Sequence, residues 1–102
     1  MKHILIVGAG IVGLSCARAA VLAGYCVTVL ERGTVPNPNA ASYDSHRLIR
    51  YQYGSAVGYT RMVGQAFDAW DRVWADIGVR HFEATGALGI SMEKADYVTR
   101  SL

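Results

Sequence analysis

The feature that most restricts this chain is a loop of three glycines, Gly8, Gly10 and Gly13, between an apolar run and a helical stretch in "HILIVGAGIVGLSCARAAVLAGYCVTVLER". Each glycine has its own reason at this spacing. Gly8 allows a tight turn out of a strand, Gly10 keeps a side chain out of the path of a bulky anion, and Gly13 lets the helix pack close to the strand. A helix that starts here offers free backbone N–H groups and the positive end of its dipole, which together suit a pyrophosphate. The glycine spacing alone is a weak signal. Its context strengthens it: a strand before, a helix after, a second strand, and an acid, Glu31, about 20 residues on. A carboxylate at that place accepts hydrogen bonds from ribose hydroxyls and repels a 2′-phosphate. It argues against NADP and does not separate NAD from FAD.

The elements around the loop follow from periodicity. The continuous apolar run 3–7 predicts a strand buried on both faces. Residues 11–23 predict a helix with Leu14, Ala17 and Val21 on its packed face, Arg18 off that face and Gly24 at its end. Residues 26–31 predict a second strand, giving a βαβ unit with a right-handed crossover. "GTVPNPNAASYDS" holds both prolines of the chain and predicts a loop. "HRLIRYQYG" has no clear period. Residues 59–77 predict a long amphipathic helix whose stripe is Val63, Ala66, Phe67, Trp70, Val73, Trp74 and Ile77, with Asp68 and Arg72 paired on the other side. Gly64 costs that helix about 1 kcal/mol against alanine, and Gly78 can end it. "HFEATGALGIS" (81–91) predicts one or two strands, and "EKADYVTRSL" begins like another helix.

Composition narrows the class. With 52% hydrophobic and 18% charged residues, the 102-residue chain can form a core, though only a small one. Its ten Lys and Arg are scattered and the net charge is +2, which disfavours nucleic acid as a partner. No stretch is long and apolar enough to span a bilayer. The N-terminus superficially resembles a secretory signal, but glycines break its apolar run and the run continues into the helix and strand that need it. Cys16 and Cys26 have neither metal-ligand nor redox-pair spacing; they read as small buried residues of a reducing, cytoplasmic compartment, and no metal site is expected. Two strands and a crossover helix do not close an α/β domain, and the tryptophan stripe needs something to pack on. The expected organisation is therefore the N-terminal portion of a longer protein. Residues 1–58 form the nucleotide-binding unit and loop, and residues 59–102 lead into a second, incomplete domain.

"GAGIVGLSCARAAVLAGYCVTVLER" resembles the FAD-dependent amine and amino-acid oxidoreductases of the D-amino-acid-oxidase superfamily. "ASYDSHRLIRYQYG", "AFDAWDRVWADIG" and "TGALGIS" are similar, in that order, to the monomeric sarcosine oxidase branch, which includes N-methyl-amino-acid oxidases. The resemblance implies an α/β fold: an incomplete Rossmann-like βαβ FAD-binding unit of the glutathione-reductase type, then the start of a substrate domain. It implies FAD as cofactor, extended, with adenosine on the βαβ unit. The candidate cofactor contacts are Gly8, Ala9, Gly10, Ile11, Val12, Gly13, Glu31, Arg32, Ser42 and Arg47. It also implies that Arg47 sits near the flavin ring and that Arg50 helps bind the carboxylate of a small amine or amino-acid substrate. An arginine fork matches a carboxylate, and a cation near the ring stabilises an anionic reduced flavin. The complete enzyme would take a hydride from the carbon of a C–N bond, leaving an imine that hydrolyses.

The loop before the arginines departs from the sarcosine oxidase pattern, in which histidine and glycine are frequent. Here it reads Ser42-Tyr43-Asp44-Ser45-His46, so His46 is not assigned a catalytic role. His3 and His81 read as structural or solvated, and Tyr51 and Tyr53 as packing residues. The family's flavin-linking cysteine, its proposed oxygen-activating lysine and its second glycine-rich FAD contact lie far downstream. Neither Cys16 nor Cys26 stands at the attachment position. Two other readings stay open on the residues alone: an NAD-dependent dehydrogenase fragment, and a truncated product or half of a split enzyme, inactive by itself.

Overall fold

A computed structural model describes residues 1–92 and 100 of the chain. The elements run in the order β1 (His3–Val7), α1 (Ile11–Leu22), β2 (Cys26–Leu30) and α2 (Val57–Ile77). They fall into two compact units, Met1–Arg47 and Leu48–Leu102.

In the first unit β1 and β2 pair in parallel, with His3 opposite Cys26 and Val7 opposite Leu30. α1 crosses between them and packs on both strands. Side chains alternate across the sheet, so Ile4 and Ile6 lie on one face with their partners Val27 and Val29, all half-buried. This is the face under the helix: a Cβ built on Gly13 of α1 would stand 3.5 Å from Ile6 Cγ2. On the other face Leu5 is 60% and Val7 83% exposed. The expectation of a strand buried on both faces is therefore corrected for β1, since among the described residues a single helix covers a single face.

The packed side of α1 also differs from the expected one. Gly13, Ala17 and Ala20 are half-buried, while Leu14 and Val21 are exposed. A helix held close to its strand has room on the near side only for small side chains, so the larger aliphatic residues of α1 point away. Ala23 and Tyr25 donate backbone hydrogen bonds to Ala20 O at 3.1 and 3.0 Å, and Gly24 takes φ +84° at the turn into β2. Both cysteines are free and exposed rather than buried. Cys26 shares the uncovered sheet face with His3, and its Sγ lies 3.0 Å from Met1 Sδ.

The second unit is built on α2. Val63, Ala66, Phe67, Trp70, Val73 and Trp74 are half-buried, matching the predicted stripe, although Ile77 is 53% exposed. The aromatic members carry the packing. Phe67 stacks on Tyr51 with ring centroids 4.8 Å apart and meets Phe82 edge-on at 5.4 Å. Trp70 stacks on Trp74 at 4.9 Å, and Trp74 meets His81 edge-on at 5.8 Å. Gly78 ends the helix at φ +75°, donating its N–H to Trp74 O at 3.0 Å. Asp71 of this helix pairs with Arg80, beyond its end, at 3.8 Å.

Residues 81–91 form no strand, which corrects the expectation for "HFEATGALGIS". A strand needs a neighbour to exchange hydrogen bonds with; here Thr85 N–H donates locally to Glu83 O at 3.0 Å and Gly86 turns the chain at φ +75°. The helix expected in "EKADYVTRSL" falls on residues outside those described, Arg100 excepted. No helix among the described residues is long and apolar enough to cross a membrane.

Candidate nucleotide-binding site

The first unit gathers most of the predicted site at the carboxyl ends of β1 and β2. Gly8 leaves β1 at φ +103°, a conformation that favours glycine, and its N–H donates to Leu30 O at 2.7 Å, extending the strand pairing by one bond. Gly13 is fixed for a different reason. A Cβ there would collide with the Gly8 carbonyl oxygen and lie 3.0 Å from the Gly8 carbonyl carbon. Those two glycines are thus required by the backbone itself.

Gly10 is not. Its φ is −76°, open to any residue, and an added Cβ would meet Ser42 Oγ at 3.7 Å, an ordinary contact. The protein has room for a side chain at Gly10 and omits it. The space it leaves is above the start of α1, where Gly10, Val12 and Gly13 N–H groups make no hydrogen bond among the described residues. An anion fits these donors and the dipole behind them.

The remaining loop amides are already engaged. Ile11 N–H donates to Ser42 Oγ at 3.3 Å, which supplies from the distant loop the capping oxygen that Gly10 cannot. Ala9, only 6% exposed, donates its N–H to Glu31 Oε2 at 2.9 Å. The other carboxylate oxygen, Oε1, accepts from Gly33 N–H at 3.1 Å and from the Asn37 side-chain amide at 3.0 Å. The Ala9 amide first, then Asn37 and Gly33, hold the Glu31 carboxyl below the ordinary glutamate range, so it stays ionised at neutral pH.

Gly8, Ala9, Gly10, Ile11, Gly13, Glu31 and Ser42 are therefore brought together. Val12 belongs to the same helix start, with its side chain 74% exposed. Arg32 follows Glu31 with its side chain exposed. Arg47, at the end of this unit, is exposed and pairs with Asp44 at 3.7 Å. Arg50 belongs to the second unit, where its guanidinium lies 5.3 Å from the centre of the Tyr53 ring, itself stacked on Tyr59. Tyr51 and Tyr53 thus pack as expected. His3 Nε2 meets Thr28 Oγ1 at 2.9 Å on the sheet, and His46 Nδ1 meets Ser45 Oγ at 3.4 Å. Asn37 is the residue that sequence reasoning missed. Its one signal was its place in the Pro-Asn-Pro-Asn turn, which marks a loop but not what the loop touches.

A parallel βαβ unit with a side-chain-free cradle at the helix start and an ionised carboxylate beside it defines a Rossmann-like nucleotide-binding unit. Residues 3–101 match the family described as FAD dependent oxidoreductase (DAO), and the chain belongs to that family. The family is FAD-dependent, which decides between FAD and NAD. The chain is 24% identical over 95 residues to the N-methyl-L-tryptophan oxidases of Yersinia pestis (strain Pestoides F) and Yersinia pseudotuberculosis serotype O:1b (strain IP 31758). Each match covers 93% of this chain and 26% of the relative, so the chain spans about a quarter of the length of those proteins. No solved structure matches it.

Proposed function

We propose that the chain is the FAD-binding N-terminal portion of a glutathione-reductase-type flavoprotein that oxidises the C–N bond of an amino acid or N-methyl amino acid. The observation that carries this reading is Gly10, a glycine that neither backbone angle nor protein contact requires, beside the Gly10, Val12 and Gly13 amides, which make no hydrogen bond among the described residues. Those amides and the α1 dipole hold the pyrophosphate, and Glu31 accepts from the adenosine ribose. Ser42 and Arg32 border the same loop as further cofactor contacts. When bound, FAD supplies the hydride-accepting chemistry.

The arginines are assigned to the reacting end. Arg47 places a cation near the ring, and Arg50 holds the substrate carboxylate. The N-methyl-L-tryptophan oxidase relatives support an N-methylated amino acid as the substrate class. Residues 59–102 lead into the substrate domain, and a C-terminal portion supplies the rest of the site. A reducing, cytoplasmic setting is part of this reading.

The test is an FAD titration of the 102-residue chain, followed by flavin fluorescence. Saturable binding that Glu31→Ala weakens supports the proposal; absence of binding to the folded chain rejects it.

A further inference from the structure

Resting on the adenosine reading above, we propose that Asn37 is a positioning residue that fixes Glu31 so that Oε2 is presented to a ribose hydroxyl. A carboxylate offers about four acceptor sites. Oε1 is filled by Gly33 N–H at 3.1 Å and the Asn37 amide at 3.0 Å, and Oε2 takes Ala9 N–H at 2.9 Å. The Arg32 backbone amide adds a smaller contribution at the same carboxylate, and Oε2, with one short donor against two on Oε1, keeps acceptor capacity.

The orientation of Asn37 is set on its other side. Asn37 Oδ1 accepts Asn39 N–H at 2.9 Å, and the Asn37 carbonyl accepts Ala40 N–H at 3.0 Å. With Oδ1 occupied as an acceptor, the end facing Glu31 must be the donating NH₂. Gly33 makes the approach possible, because a Cβ there would stand 2.8 Å from Asn37 Nδ2. The Ala9, Asn37 and Gly33 donors, all neutral, therefore hold the Glu31 carboxylate at both oxygens, with the Arg32 backbone amide adding a smaller contribution. Its ionisable chain neighbour is Arg32.

Asn37→Asp separates positioning from a purely structural role. Aspartate keeps the acceptor that Asn39 uses, so the turn survives, but it faces Glu31 with a second carboxylate instead of a donor. Asn37→Ala removes both functions, and Gly33→Ala pushes the amide away while leaving Asn37 in place. The readouts are the pH titration of the Ala9 amide by NMR in the ligand-free full chain, and ADP affinity by calorimetry.

In Asn37→Asp the Ala9 midpoint rises by roughly one pH unit, and ADP binds about tenfold more weakly at pH 7, an effect of about 1.4 kcal/mol. Asn37→Ala and Gly33→Ala move both readouts in the same direction by less. Wild-type behaviour of Asn37→Asp in both readouts reduces Asn37 to a turn residue and overturns the proposal. A shifted Ala9 titration with unchanged ADP affinity overturns it as well, because Oε2 then takes no part in binding. If wild-type chain fails to bind ADP while Ala9 still responds to Asn37→Asp, the adenosine reading fails and takes the ribose role with it. The intact Ala9 response distinguishes that failure from the others.

Discussion

Glu31 Oε2 accepts the Ala9 amide proton at 2.9 Å across 22 residues of sequence, so the end of β2 is tied directly to the glycine loop that leaves β1. The bond couples the charge of the site to its shape. The carboxylate proposed to receive a ribose also holds the loop proposed to receive the pyrophosphate.

The coupling has a pH signature. Glu31 is held below the ordinary glutamate value of 4.5 in the folded chain by the Ala9, Asn37 and Gly33 donors. A group whose folded pKa is depressed contributes stability above its unfolded pKa and loses it as pH falls through the folded value. The wild-type denaturation midpoint should therefore fall below pH 4.5 more steeply than that of Glu31→Gln, with the two curves converging at the acid end. Parallel curves across that range contradict the linkage.

Gly13 and Gly10 make opposite predictions about stability. Gly13→Ala forces a Cβ into the Gly8 carbonyl and should cost the first unit about 1–3 kcal/mol by overpacking. Gly10→Ala meets only Ser42 Oγ, at 3.7 Å, and should leave the unfolding free energy from urea denaturation within about 0.5 kcal/mol of wild type. Equal losses from the two substitutions would show that Gly10 is needed by the fold.

Ser42→Ala removes the oxygen that caps α1 at Ile11. Loss of a helix cap costs about 0.5–2 kcal/mol; at 3.3 Å and on an exposed bond, the lower end of that range is expected. Urea denaturation with and without sulfate, an anion suited to a helix start, checks it. Sulfate should restore part of the loss, since an anion at the same helix start takes over the unpaired amide.

In the second unit, Phe67 is the ring shared by Tyr51 and Phe82. Phe67→Leu keeps an apolar side chain and removes both ring contacts, each worth about 0.5–1.5 kcal/mol. The near-UV circular dichroism should weaken with the stability. An unchanged spectrum and midpoint would mean that the aromatic chain carries little of the packing.

Much of this architecture was legible in the residues. The glycine loop, both strands, both helices and the α2 stripe follow from spacing, because a 3.6-residue or continuous apolar pattern has few other uses. The misreadings came from long-range partners. A continuous run such as 3–7 is written for two covered faces, yet only Ile4 and Ile6 are covered here. Leu14 and Val21 share the helical spacing of Ala17, but the close approach at Gly13 leaves room on the packed side for small residues only, so Ala17 and Ala20 are half-buried and the two larger residues are exposed. "HFEATGALGIS" has strand composition but, among the described residues, no neighbouring strand to pair with. At the site, the glycines and Glu31 were readable from spacing, whereas Asn37 and the cap from Ser42 depend on how a proline-rich loop folds back, which no period encodes.

The most direct test of the nucleotide-binding account is FAD titration of wild type beside Gly10→Ala, with the urea midpoint of each measured in the same buffer. The account predicts equal midpoints and an affinity at least about tenfold weaker in Gly10→Ala, because the added methyl fills the cradle without touching the fold. Equal affinities at equal stability would contradict it, and the space above Gly10 would not be where the pyrophosphate binds.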